Sequence, residues 1–552
     1  MGPLKGFPCP PAMVRGEQSA PAPHANPMIR RAGLLTLVFA ACAGPAHEIV
    51  EDRFDLAETS SSPEVTEVSD VGGGDVALTG NLSMQAPDGI AVIGETLWIH
   101  GRSFGRQPAV LVGGRPAAVL GRTRDGGIVV RVPPATPSGA QPVVVNNEVG
   151  HGERSIAVRR YAAVLAPGAG EVGWAELGSD GPIAAGKTAV GGARWLALSS
   201  DGRAAYLADA KRSVVSVVEI PAPGGPKVVY RLDLGPSPVV ALAAAARAPV
   251  LAVVREGDVT LLDTSSPLRP ARSTPRALPA EIKRAHVVAA DLSPDGKLLA
   301  IATADGNRVA LLDLVPEGRA PVTGALAVLP DVRESVLVDV AFSPAADTLW
   351  VLSGDNTRSR ASGPQPTELR AIRLSASPET MTNLDVARVV AVGAARDPAR
   401  IAVGRATPLV SGAAIRLPPE RATVFFAAAT KPTIETGPSK GPVPPAMGSA
   451  GQSPSAPDAI PHVDEAAVFR VGVDDAASLS ITGVGHVGMP DLSFDGRWLL
   501  APVAASEGAV RVLSAAVDGR PAPSPAPLEV VRAGPGELPP RARPLPQLRI
   551  QP

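Results

Sequence analysis

The sequence predicts an all-β protein, a small sandwich followed by a β-propeller, and three observations carry that prediction. Of 552 residues, 56 are glycine and 60 proline, aromatics are 3% and charged residues 19%, a strand-and-turn composition and not that of a coiled coil or long helical bundle. Between residues 85 and 160, short β-branched runs alternate with Gly/Pro turns, the pattern of a small antiparallel sandwich. From residue 161 onward one strand–turn–strand unit recurs, with starts at Leu198, Leu242, Leu292 and Phe342 spaced by 44, 50 and 50 residues. That period suits a four-stranded propeller blade better than a solenoid coil.

The first 42 residues read as an upstream extension and a signal peptide. Met28 is followed by Arg30 and Arg31, then by a mostly apolar run from Ala32 to Ala41 that ends at Cys42. A cationic start, a short apolar core and small residues before the cleavage point define a secretory signal. The run is too short for a membrane-spanning helix, which needs about 20 apolar residues. Phe39, Ala40, Ala41 and Cys42 resemble a bacterial lipobox, with Phe39 where leucine is commoner. The resemblance implies that Met28 is the true start, that Cys42 is the lipid attachment point, and that the protein lies in the bacterial cell envelope, at the outer membrane or cell surface. Residues 43–84 follow as an expected acidic, flexible tether. Nine acidic residues from Glu48 to Asp75 face one basic residue, Arg53, and such a segment buries too little apolar surface to offset its ordering entropy.

Residues 85–160 contain strand candidates at Thr96–Gly101, Ala109–Val112, Ile128–Val132 and Pro142–Asn146. The run from Gly94 to Gly105, the turn after Val112 with Gly113 and Gly114, the pair Pro133 and Pro134, and Gly139 resemble the IPT/TIG family of immunoglobulin-like domains. That resemblance implies a spacer or binding module.

Residues 161–552 carry the repeat. Leu292, Ser293, Pro294, Asp295, Gly296 and Lys297 have counterparts at Leu198–Arg203 and Leu492–Arg497, and a looser one from Phe342. These units, with Tyr206–Ala210 and Ser213–Val218, resemble YVTN-type and WD40-like bacterial propeller repeats; the Trp-Asp dipeptide of WD40 proteins proper is missing. Seven blades are expected, with six or eight also compatible. The interval between Phe342 and Leu492 leaves the register open, with Val392–Val403 and Leu417–Ala427 as strand candidates and a Pro-rich insertion at 432–461. Tyr161–Leu177 is expected to supply outer strands of a blade completed from the C-terminal end, around Pro527–Val531. Closure of this kind protects edge strands.

Lys+Arg 52 against Asp+Glu 53 leaves a net charge of -1, so no global basic field exists to hold nucleic acid. The two cysteines, Cys9 and Cys42, exclude a disulfide framework. The sharpest candidate for chemistry is shared by two units: His286 stands five residues before Asp291, and His486 five before Asp491. Ala197, Ala241 and Ala341 occupy the aspartate position elsewhere, and Asp339 lies two residues before Ala341. If these aspartates line the central channel with the histidines at its mouth, divalent-cation binding or general acid/base work becomes open to them. Solvated channel groups repeated by descent are the competing explanation, and no cofactor is otherwise expected.

Other patterns count for less. Gly181–Thr188 satisfies the phosphate-loop expression, without the strand before it and the helix after it that the mechanism needs. Gly101–Gly105 and Gly437–Gly441 match a nucleophile-elbow pattern outside any strand-to-helix turn. His462, Asp464 and Glu465 lack the spacing of a helical zinc site. The sequence therefore predicts a cell-envelope lipoprotein with a noncatalytic module for binding a protein or glycan, held to the membrane by its lipid. The alternative is a propeller hydrolase or lactonase-like enzyme, metal-assisted, using His286, Asp291, Asp339, His486 and Asp491.

Overall fold

A computed structural model of the chain describes residues 47–48, 61–72, 81–84, 88–166, 170–178, 182–209, 212–221, 225–283, 285–303, 308–314, 326–328, 335–355, 367–374, 385–392, 401–403, 424–429, 465–471, 476–484, 486–487, 491–492, 498–504, 509–516, 528–532 and 547–552. Most of these lie in strands, with one short helical turn at Ala280–Lys283. Cys42, the lipobox and the 432–461 insertion lie outside the described residues.

The sandwich comes from period-two alternation. Leu97 and Ile99, Ile128 and Val130, Val143 and Val145, and Ile156 and Val158 all point into one core and are almost fully buried. One sheet runs His47–Glu48, Asn81–Met84, Glu64–Gly72, Thr96–Arg102, Ile128–Arg131 and Val119–Arg122. The other runs Arg115–Ala117, Ala109–Val112, Gly139–Asn146 and His151–Leu165, with Ile90–Val92 parallel to the last strand.

The expectation of a tether over 43–84 needs correction, because Glu64–Gly72 is a sandwich strand paired antiparallel with Thr96–Arg102. Val68 is buried and Val65 packs partly against the core, whereas Glu64 is exposed and accepts a hydrogen bond from Arg102 Nε at 2.7 Å. Counting charges over the segment hides this, since composition does not say which face of a strand the charges occupy.

The strand His151–Leu165 passes from one domain into the next. Its first half pairs with Gly139–Asn146 of the sandwich; residues 160–165 pair with Glu171–Leu177 on one side, and residues 162–165 pair with Gln547–Ile550 on the other. With Pro182–Ala189 outermost, these strands make the blade that both ends of the propeller close. The innermost strand is thus Gln547–Ile550 and not the stretch around Pro527–Val531, for Leu528–Arg532 is the outer strand of the preceding sheet. Further antiparallel sheets begin on inner strands Ala193–Leu198, Val239–Ala244, Val287–Leu292, Ser335–Phe342, Ile401–Val403 and Asp491–Leu492. Within the interval whose register the sequence leaves open, Ile401–Val403 is the inner strand and Val424–Ala429 the second. The inner strands neighbour one another in chain order, and Gln547–Ile550 lies against both Asp491–Leu492 and Ala193–Leu198, which closes the ring. The molecule is an immunoglobulin-like sandwich followed by a β-propeller.

The repeated turn has a local cause. Ser199, Ser293 and Ser343 each accept an N–H from the start of the second strand (Ala204, Leu298, Thr348) and donate to a nearby aspartate (Asp201, Asp295, Asp347). Gly202 and Gly296 adopt φ of 75° and 73°, a left-handed conformation that glycine takes without steric cost. The aspartates of these turns are structural, as side chains that satisfy local backbone groups. Burial alone raises the Asp295 carboxyl, but the Ser293 hydroxyl and the Lys297 N–H and ammonium outweigh it and hold the group below its ordinary value.

Candidate functional site

The inner strands place the predicted residues in seams between blades. In Val287–Leu292, Ala290 and Leu292 pack toward the preceding blade, whereas Ala289 packs toward the following one with Val340, Phe342 and Leu349. Asp291 shares the Ala289 face, since side chains two apart along a strand point the same way. Its carboxylate Oδ2 accepts the Phe342 N–H of the next blade at 2.8 Å. Asp491 does the same one inner strand before closure, accepting the Ile550 N–H at 2.8 Å while 5% exposed. Gln547 continues the device: Oε1 accepts the Leu196 N–H at 2.9 Å and Nε2 donates to the Arg194 carbonyl at 2.7 Å.

Asp291, Asp491 and Gln547 are thus staples between neighbouring inner strands. Asp291 and Asp491 lie on inner strands with Ser335–Phe342 and Ile401–Val403 between them in one direction around the ring. Asp339 is 4% exposed and sits on the strand next to Asp291. His286 is exposed just before its inner strand, and His486 pairs in register with Ala504 at the start of another. Among the described residues, no group of three or more His, Cys, Asp or Glu side chains is placed to hold a metal ion.

The register also moves one predicted equivalence. Asp291 pairs with Ala300 and Ala243 with Ala252, each the third matched pair after the bulge, so Ala243 and not Ala241 stands at the aspartate position. The slip is two residues, which preserves the face. The phosphate-loop match likewise dissolves: Pro182–Ala189 is an outer strand, and Lys187 pairs with Glu171 at 2.9 Å. Ser103, in the first elbow match, follows a sandwich strand and accepts a hydrogen bond from Ser61 at 2.6 Å. The second elbow match and the cluster His462, Asp464 lie outside the described residues.

A polar junction between the two domains is absent from the sequence-based expectations. Arg160 is completely buried, and donates from Nη1 to the Gln551 carbonyl at 3.0 Å and from Nη2 to the Thr136 carbonyl at 2.8 Å. Gln551 is also completely buried; its Oε1 accepts the Tyr161 N–H at 2.7 Å and its Nε2 donates to the carbonyls of Gly202 at 2.6 Å and Ile93 at 3.3 Å. Sandwich, first blade turn and C-terminal strand are thereby tied at one place. Contact is close enough that a Cβ on Gly94 would stand 2.7 Å from the Asp201 carbonyl oxygen. Nearby, Glu95 accepts the Val92 N–H at 2.7 Å, and burial, with repulsion from Asp70, raises its carboxyl to about 8. Desolvation, followed by the charge of Asp88, lifts Asp70 to about 6.

Residues 84–156 match the family described as the IPT/TIG domain. No curated protein matches the chain. Among solved structures, the periplasmic gluconolactonase of Pseudomonas aeruginosa is 13% identical, with 71% of this chain and 99% of that one covered at a TM-score of 0.43. The hydrazine synthase of Kuenenia stuttgartiensis is 15% identical over 58% of this chain and 76% of that one, at 0.38. The β-propeller domain of Cps50 from Myceliophteria thermophila is 13% identical over 62% and 93%, at 0.36. No chemistry is transferred to this chain from likenesses of that degree.

Proposed function

We propose that the chain is a lipid-anchored protein of the bacterial cell envelope, in which the IPT/TIG-like domain positions a noncatalytic, seven-bladed propeller that recognises a protein or glycan. Cys42 is the lipid attachment site in this reading, and recognition runs through blade loops and the channel mouth. The observation that supports it is the employment of the carboxylates: Asp291 and Asp491, which a hydrolase would need at a reacting centre, each accept a backbone N–H across a blade seam. A carboxylate so bonded braces two strands.

Mass spectrometry of what co-purifies with the full-length protein from gently solubilised envelopes tests the proposal, with Cys42→Ser as control. A stoichiometric envelope partner is expected, together with release of the Cys42→Ser protein from the membrane fraction. Divalent-cation-dependent turnover of a lactone or ester, abolished by Asp291→Asn in a protein that still folds, would overturn the noncatalytic reading.

A further inference from the structure

Four successive inner strands share an irregularity near their starts, at the same end of each strand. Register shifts fall between Ala193 and Trp195, Val239 and Ala241, Val287 and Ala289, and Leu337 and Asp339. Each is a β-bulge that leaves one residue unmatched: Arg194, Val240, Val288 and Val338 in four successive blades. A bulge re-aims a side chain out of the regular alternation. Arg194 is exposed and the three valines are half-buried, each more open than the buried residue after it (Trp195, Ala241, Ala289, Asp339). Val240 and Val288 also pack in part against the blade cores, so it is their remaining open surface that lies near the strand start.

Arg194 is held as a presented cation. Its carbonyl is fixed by Gln547 Nε2, its guanidinium lies 5.6 Å from the Trp195 ring centroid, and the Trp195 Nε1–H donates to the Val239 carbonyl at 3.2 Å. It forms no ion pair among the described residues. The bulges lie at the starts of the inner strands, whereas the sandwich contacts the turn after the end of the first one, through Gly94 against Asp201 and Gln551 between Ile93 and Gly202. The mouth that carries Arg194 is therefore at the opposite end from that contact.

We infer that this mouth binds an organic anion in which a carboxylate is carried on an apolar body, with the carboxylate on Arg194 and the body against Val240, Val288 and Val338. The inference rests on the recognition reading and deepens it by naming a ligand class. A single guanidinium supplies charge-assisted hydrogen bonds in a planar fork that suits a carboxylate, and the open part of the neighbouring valines offers apolar surface, with His286 exposed two residues before Val288.

Because Arg194 lies beside Trp195, binding is readable in tryptophan emission. Full-length protein titrated with hexanoate is expected to give a saturable change that disappears in Trp195→Phe. Arg194→Ala is expected to weaken the response at least tenfold, and hexanol in place of hexanoate to bind at least tenfold more weakly than the acid. Val240→Asp, which adds a like charge beside the carboxylate, is expected to weaken it as well. No saturable response in protein with a native melt, or equal responses from Arg194→Ala or from hexanol, would overturn the inference. Should Arg194→Ala lose hexanoate yet retain the co-purifying partner, the ligand site stands apart from the partner surface; should hexanoate fail while the partner is retained, this inference alone falls.

Discussion

The seam between sandwich and propeller differs in kind from the seams between blades. Blade seams are apolar and repeated: Ala289, Ala300 and Ala302 pack against Val340, Phe342 and Leu349, with one carboxylate stitched across the inner edge. The domain seam occurs once, and its centre is a buried guanidinium and a buried amide that bond to backbone groups of Gln551, Thr136, Tyr161, Gly202 and Ile93. Hydrophobic packing tolerates small shifts, whereas a polar group in a dry site loses its partner outright if the geometry moves. The blade seams thus give cohesion, and the domain seam gives the sandwich a fixed position.

Arg160→Ala is the severest way to break that contrast. It removes the donors from two buried carbonyls, those of Gln551 and Thr136, and an orphaned buried acceptor costs about 1–3 kcal/mol. A combined loss of about 3 kcal/mol or more is expected, seen as a lowered urea midpoint and as an early transition from the closing blade. Arg160→Lys, which can reach one carbonyl but not both, is expected to fall between. A melt of Arg160→Ala that superimposes on the parent would show that the polar seam contributes nothing.

Within the blades the expected effects are smaller and depend on chemistry more than on charge. Asp291→Ala leaves the Phe342 N–H without its acceptor and is expected to cost about 1–3 kcal/mol; Asp491→Ala does the same to the Ile550 N–H. Asp291→Asn keeps a side-chain oxygen and is expected to stay close to the parent. If Asn proves as damaging as Ala, charge and not hydrogen bonding holds that seam, and the staple account fails.

These two seams were unequally legible. The repeat exposes blade strands because local alternation and the Ser-x-Asp-Gly turn recur along the chain, so the all-β class, the sandwich and the propeller follow from sequence. The aspartates at 291 and 491 were visible as a repeated signal, yet their chemistry was not, since it depends on which strand face meets which blade. Ala243 shows the limit of ungapped alignment: the strand pairing sets the register two residues away from the Leu242 match. Arg160 and Gln551 stand 391 positions apart, belong to no repeat, and become a pair only when the C-terminal strand closes the ring. Glu64–Gly72 was obscured for the opposite reason, its local charge outweighing three valines whose partners lie on Thr96–Arg102 and beyond.

The last contrast concerns acidity beside the domain seam. Glu95 is pushed to about 8 chiefly by burial, with Asp70 and Asp88 adding repulsion and the Val92 N–H opposing it. Its unfolded value is about 4.3, so between these values the folded protein keeps a proton that the unfolded chain has released. Stability contributed by the neutral Glu95 is present below about pH 4.3 and falls as pH rises toward 8, after which this group adds no further slope. Asp70, raised to about 6 by burial and Asp88, acts in the same direction but only up to that pH. The window from pH 6 to 8 therefore isolates Glu95. Urea midpoints at pH 5, 6, 7 and 8 are expected to decline throughout in the parent, whereas Glu95→Gln, which is neutral at every pH, should decline to about pH 6 and then flatten. An unchanged slope between pH 6 and 8 in Glu95→Gln would place the titrating group elsewhere, and with it the pH sensitivity assigned to the domain seam.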